Sequence, residues 1–108
     1  MHAGAQTLLF KTLADPTRRA LFERLSREGE LTVGALTQRA GVSQPAVSQH
    51  LEALRRAGLV LGRRDGRTAH YRATPDGLAP LTNWLAYYSR FWRERFDDLE
   101  KLLKEMDQ

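Results

Sequence analysis

Apolar residues recur at helical spacing through most of the chain, with one break. Leu9 and Leu13 lie four apart and predict a first helix over about Gln6–Ala14. Asp15-Pro16 ends it and opens a second. Aspartate is a good N-cap, and proline fits the first helical position, where its missing N–H is not needed. Leu21 and Leu25, with Phe22 beside them, form the stripe of this helix, which runs towards Arg27 and stops at Gly29. Thr32 can cap a third helix over Val33–Ala40, with Val33, Leu36 and Ala40 on one face.

Gly41-Val42-Ser43 then separates two helical patterns by three residues. Glycine supplies the positive φ needed to leave a helix sharply, and Ser43 offers a hydroxyl to cap a fourth helix with Pro45 in its first turn. This helix reaches about Ala57, buries Val47, Leu51 and Leu54, and closes at Gly58. Two helices joined by a short glycine-containing turn form a helix-turn-helix. From Val60 to Ala73 the period changes. Asp65-Gly66 between two short runs predicts a hairpin, pairing Val60 with Tyr71 and Leu61 with His70 and putting Arg63, Arg64 and Arg67 at its tip. From Leu78 the helical pattern resumes to about residue 106. Leu85, Trp92, Leu99 and Met106 recur every seven residues, and Leu81, Tyr88 and Leu102 form a second seam that Arg95 interrupts. Such a helix is roughly 40 Å long, more than one small domain needs to cover itself. The expected fold is mainly α with a small β-hairpin, a single domain in the order α-α-α-α-β-β-α, with 78–106 as its association helix.

Composition changes this picture little, and charge changes it more. The 108 residues suit one domain, and 42% apolar content allows a modest core. Cysteine is absent, which excludes disulfides and thiolate metal sites. No run of 18 apolar residues is present, and Met1–Gln6 lacks the basic-then-apolar pattern of a signal peptide, so the expected compartment is the cytoplasm. The net charge is +4 and unevenly spread: residues 1–75 hold twelve Lys/Arg against six Asp/Glu, residues 76–108 five against seven. The first part therefore suits a polyanionic partner.

The outer face of the fourth helix sharpens that expectation. Pro45, Ser48, Gln49, Glu52 and Arg56 lie opposite its core stripe, with Gln44 at its start. An ordinary solvated face carries mostly Lys and Glu. Glutamine can bond adenine twice in the major groove, and serine can bond several bases. The candidate base-reading segment is Ser43, Gln44, Pro45, Ala46, Ser48, Gln49 and His50. Arg63, Arg64 and Arg67 are the candidate phosphate ligands. There is no nucleophile elbow, glycine-rich phosphate loop or carboxylate pair on an internal face, so the sequence gives catalysis no support and implies no cofactor.

The segments Leu13-Ala14-Asp15-Pro16-Thr17-Arg18-Arg19, Glu30-Leu31-Thr32-Val33-Gly34-Ala35-Leu36 and Ser43-Gln44-Pro45-Ala46-Val47-Ser48-Gln49-His50-Leu51, continued by Ala57-Gly58-Leu59-Val60 and the Arg63–Arg67 hairpin, resemble the ArsR/SmtB family of winged-helix repressors. The resemblance spans about residues 8–108. It implies a homodimer presenting two recognition helices to double-stranded DNA, with dimer contacts from the first and last helices. Many members sense metals through a Cys-x-Cys on the third helix; those positions are Thr32 and Gly34 here, and no histidine follows His70, so no metal site is expected. Six of the nine aromatics fall between Trp84 and Phe96. They suit a subunit interface, with Leu81, Leu85, Tyr88, Trp92 and Leu99 as its seam, or alternatively an apolar ligand pocket near the last helix. A winged-helix module that binds protein instead of DNA is a further alternative.

Overall fold

The computed structural model describes residues 2–107, with side chains from residue 4 onward. The elements are α1 (His2–Ala14), α2 (Pro16–Glu28), β1 (Leu31–Thr32), α3 (Val33–Gln38), α4 (Gln44–Arg56), β2 (Val60–Asp65), β3 (Thr68–Ala73), a 3-10 turn (Pro75–Leu78) and α5 (Ala79–Met106). Two compact units divide after Leu78: a winged helix-turn-helix, and the α5 segment. No helix among the described residues is long and apolar enough to cross a membrane.

The capping residues act as their chemistry requires. The Asp15 carboxylate accepts from the Arg18 N–H at 2.9 Å, the Thr32 hydroxyl from Ala35 N–H at 3.0 Å, and the Ser43 hydroxyl from Ala46 N–H at 3.3 Å. Each satisfies a backbone donor that the helix start leaves open. The end of α4 is equally well defined. Leu59 N–H bonds the Leu54 carbonyl and Gly58 N–H the Arg55 carbonyl, both at 3.0 Å, with Gly58 at φ +78°. This is a Schellman closure, which glycine takes without a Cβ penalty. Its apolar partners Leu54 and Leu59 are both fully buried, and the chain leaves them directly into β2. The core of this unit is Leu9, Leu21, Phe22, Leu25, Val33, Leu36, Val47, Leu51, Leu54, Leu59 and Val60.

Four expectations need correction. Helix α1 begins at His2, not near Gln6, because residues 2–5 contain alanine, a strong helix former, but no large apolar residue to mark a period. Helix α3 ends at Gln38, so residues 39–43 form the turn, and Gly41 at φ +72° lies within it. A strand was not expected between α2 and α3. Leu31 and Thr32 pair antiparallel with Tyr71 and His70, completing a three-stranded sheet in the order β1-β3-β2. Finally, the hairpin register differs: Val60 faces Ala73 and Leu61 faces Arg72, with Asp65 and Thr68 as the last pair. A turn centred on Asp65-Gly66 with mirror-image geometry needs positive φ at both. Among the described residues only glycines have positive φ, so Gly66, at +64°, takes the first central position and Arg67 the second.

Candidate nucleic-acid interface

The first two turns of α4 expose Gln44, Pro45, Ser48 and Gln49. Ala46 is half-buried, and the Ser43 hydroxyl is engaged as the cap. His50 is also half-buried, its Nδ1 buried with no hydrogen-bond partner among the described residues. Asp15 is held below the usual carboxylate range mainly by the Arg18 backbone N–H, and to a smaller extent by His50 and Arg18. His50 is thus turned partly inward, which the outer-face pattern of α4 did not reveal.

One turn further along α4 two arginines share one carboxylate, which leaves one net positive charge there. Arg55 Nε donates to Glu52 at 2.8 Å, and Arg56 Nε lies 3.4 Å from the same carboxylate. The Arg55 guanidinium holds the Glu52 carboxyl below its ordinary range. The exposed start of the helix thus offers neutral hydrogen-bonding groups, and positive charge beside it that is not paired with a carboxylate must come from elsewhere.

It comes from the hairpin. A cleft of about 270 Å³ is lined by Gln44 and Ser48 from α4, Arg64, Arg67, Thr68 and Ala69 from the hairpin, and Val33 and Gly34 from α3. Arg64 and Arg67 have no ion-pair partner among the described residues. Two candidate base readers and two candidate phosphate ligands therefore border one concave surface. Gln49 is exposed on α4 but outside the cleft.

Arg63 is placed differently from the expectation. It lies within β2 opposite His70, not at the tip. Its Nε is 3.1 and 3.2 Å from the two carboxylate oxygens of Glu30, and its Nη2 bonds the first of them as well. His70 Nδ1 is 3.5 Å from the same oxygen. The Arg63 hydrogen bonds hold the Glu30 carboxyl below its usual range. The contribution of this cluster is therefore present above the ordinary glutamate range and lost only as pH falls through the lowered value. Sequence pattern could not find the pair, since its members are 33 positions apart.

Helix α5, taken by itself, has 28 residues and none fully buried. Leu85 is 55% exposed, Trp92 54% and Leu99 49%, and Tyr88, Phe91 and Phe96 are exposed too. Leu81 is half-buried. Arg95, which interrupts the second seam, lies with its guanidinium carbon 4.8 Å from the Phe91 ring centroid, a cation–π contact.

Known proteins share this plan. Residues 13–63, from the end of α1 into β2, match the model of a helix-turn-helix domain. Over 94 residues the chain is 44% identical to the HTH-type transcriptional regulator Rv2034 of Mycobacterium tuberculosis, covering 87% of this chain and 84% of that one. It is 48% identical over 99 residues to the arsenical resistance operon repressor of Escherichia coli, covering 91% and 81%. A solved ArsR family transcriptional regulator superposes with a TM-score of 0.76 at 30% identity, covering 84% of this chain and 93% of that one. The chain belongs to the ArsR/SmtB family of winged-helix transcriptional regulators.

The matched residues include α3 and α4, which form the helix-turn-helix, and β2-β3 is the wing of this fold. The protein is a DNA-binding transcriptional regulator, and the family is not one of enzymes. Among the described residues no three His, Asp or Glu side chains gather to hold a metal ion.

Proposed function

We propose that this ArsR-family regulator is a homodimeric repressor, acting in the cytoplasm on an inverted-repeat DNA operator. Gln44, Ser48 and Gln49 read base edges in the major groove, while Arg64 and Arg67 contact flanking phosphates. The seam Leu81, Leu85, Tyr88, Trp92 and Leu99 joins two copies through α5. The observation that carries this reading is the cleft that Gln44 and Ser48 share with Arg64 and Arg67. A recognition helix enters the groove with its N-terminal residues foremost, and Gln44, Ser48 and Gln49 at that end of α4 are polar, uncharged and exposed. The names of relatives, such as the arsenical resistance operon repressor, support repression.

Base contacts and phosphate contacts leave different signatures. Gln44→Ala, Ser48→Ala and Gln49→Ala are expected to change base preference, at roughly 1–3 kcal/mol for each lost contact. Arg64→Ala and Arg67→Ala are expected to weaken binding to every sequence and to reduce the salt slope by about 1 each. Binding isotherms on operator and random duplexes at several salt concentrations measure both. Equal losses on both duplexes for the glutamine variants would put another face of α4 in the groove.

The response to soft metal ions is expected to differ from that of thiolate sensors. Zinc, cadmium and arsenite at micromolar levels are expected to leave the operator complex intact, because Thr32 and Gly34 supply no soft ligand. A gel-shift titration in which one of these ions releases the DNA, reversed by a chelator, would contradict this.

A further inference from the structure

The cluster around Glu30 is not accounted for by base reading, phosphate contact or dimerisation. Glu30 stands just before β1, and Arg63 lies on β2. Because the strand order is β1-β3-β2, the carboxylate joins the two outer strands across the middle one, with His70 of β3 beneath the link. Arg72 also contributes favourably to the Glu30 charge. The other ion pairs among the described residues that do not involve Glu30 are three or four positions apart on single helices, where they stabilise only the helix itself.

Besides the backbone pairing of β3 with β1 at Tyr71 and His70, few side-chain contacts fix the pitch of the hairpin beyond its base. Of β2 only Val60 is buried, and residues 61–68 are all exposed. Apolar packing thus holds the base of the wing and not its length. One further pin is the Tyr71 ring lying over Gly62, where an added Cβ would come within 2.9 Å of the ring.

We propose that Glu30 is a positioning residue for DNA binding: its clasp on Arg63 and His70 sets the pitch of the wing and so the placement of Arg64 and Arg67. The inference rests on the proposed contact of those two arginines with phosphate. It runs against simple electrostatics, because Glu30 is an anion on a protein that binds a polyanion. If Glu30 merely masked Arg63, removing its charge would free a cation and tighten binding. The clasp requires the opposite sign.

The test is a double-mutant cycle on the full chain, with operator affinity measured across a salt series and folding checked by thermal melting. Glu30→Gln is expected to lower affinity roughly three- to tenfold, and to flatten the dependence of log affinity on log salt, although it removes a negative charge. Arg63→Gln is expected to lose a similar amount, and the double variant no more than either single one, since all three remove the same interaction. Arg63→Lys keeps the charge but cannot span both carboxylate oxygens, so it should lose part of the affinity with its melting temperature unchanged. A Glu30→Gln variant that binds as well as the native protein or better, additive losses in the double variant, or a fully active Arg63→Lys would each overturn the clasp. Arg64→Ala and Arg67→Ala in the same assay keep the two claims apart: native binding by those variants would defeat the wing–phosphate contact itself.

Discussion

Trp92→Ala, or a chain ending before Phe91, is expected to be monomeric and to bind its operator about a hundredfold or more weakly, although α5 is poorly suited to touch DNA. Trp92 is 54% exposed on its own chain and sits between Leu85, 55% exposed, and Leu99, 49% exposed, at intervals of seven residues. Leu81, Tyr88 and Leu102 run beside them at the alternating three- and four-residue spacing by which two helices bury a common seam. Arg95 occupies the one position in that seam that breaks the pattern, and its cation–π contact with Phe91 gives its head group a partner on its own helix. Truncating a buried tryptophan costs about 3–5 kcal/mol, and a two-fold interface suffers the loss twice. Two half-site contacts then cease to be linked, and the effective concentration that made the second contact intramolecular is lost. Phosphate contact by α5 itself is disfavoured, since residues 76–108 carry five basic against seven acidic side chains. Sedimentation together with circular dichroism separates assembly from folding. A folded Trp92→Ala protein that stays dimeric and binds normally would remove α5 from the interface.

Gly77→Ala is expected to destabilise the winged-helix unit by about 3 kcal/mol, at the upper end of the usual cost of overpacking. Gly77 lies in the 3-10 turn after β3, and a methyl group there would overlap the Gly58 carbonyl oxygen and crowd the Leu59 Cα. Both belong to the backbone of the Schellman closure that ends α4, so no side chain can swing aside. The closure also carries Thr74 N–H, bonded to the Leu59 carbonyl at 2.9 Å, and any shift there disturbs the joint between α4 and the hairpin. For a domain of this size a loss of 3 kcal/mol lowers the melting temperature by roughly 12–24 °C. Gly34→Ala supplies the contrast. Only the Thr32 hydroxyl lies within 4 Å of its added Cβ, at 3.9 Å, and alanine favours a helix over glycine by up to about 1 kcal/mol. That variant should melt no lower than the native protein. Calorimetry of the two settles the matter; a Gly77→Ala protein of native stability would show that the turn and the closure are not in firm contact.

What the sequence made legible was local. Asp15, Thr32 and Ser43 cap helices through bonds to residues three positions on, so the starts of α2, α3 and α4 follow from short-range chemistry. The apolar stripes of Val33 and Leu36, and of Val47, Leu51 and Leu54, are buried as their spacing required. The features that escaped depend on distant partners. A strand of two residues has no period, and β1 exists because β3 offers it an edge. Leu59 lies beyond the helical stripe and is buried by the closure that Gly58 permits. Asp-Gly located the hairpin, but the φ of Asp65 decided which residue begins the turn, and that moved every cross-strand pair. Likewise the spacing that makes Arg63 a third tip cation carries no trace of Glu30, 33 positions away, which binds it.

Selection of bound duplexes from a random DNA pool by the full-length protein, followed by footprinting on the enriched sequence, tests the central claim most directly. The expected result is one enriched inverted repeat, its half-sites about one helical turn or a small multiple apart, with two symmetric zones of protection. Gln44→Ala should then select an altered half-site, while Arg64→Ala should recover the same one less efficiently. A pool that yields no preferred sequence, or a single asymmetric half-site protected by one monomer, would contradict the account of a dimer reading an operator with α4.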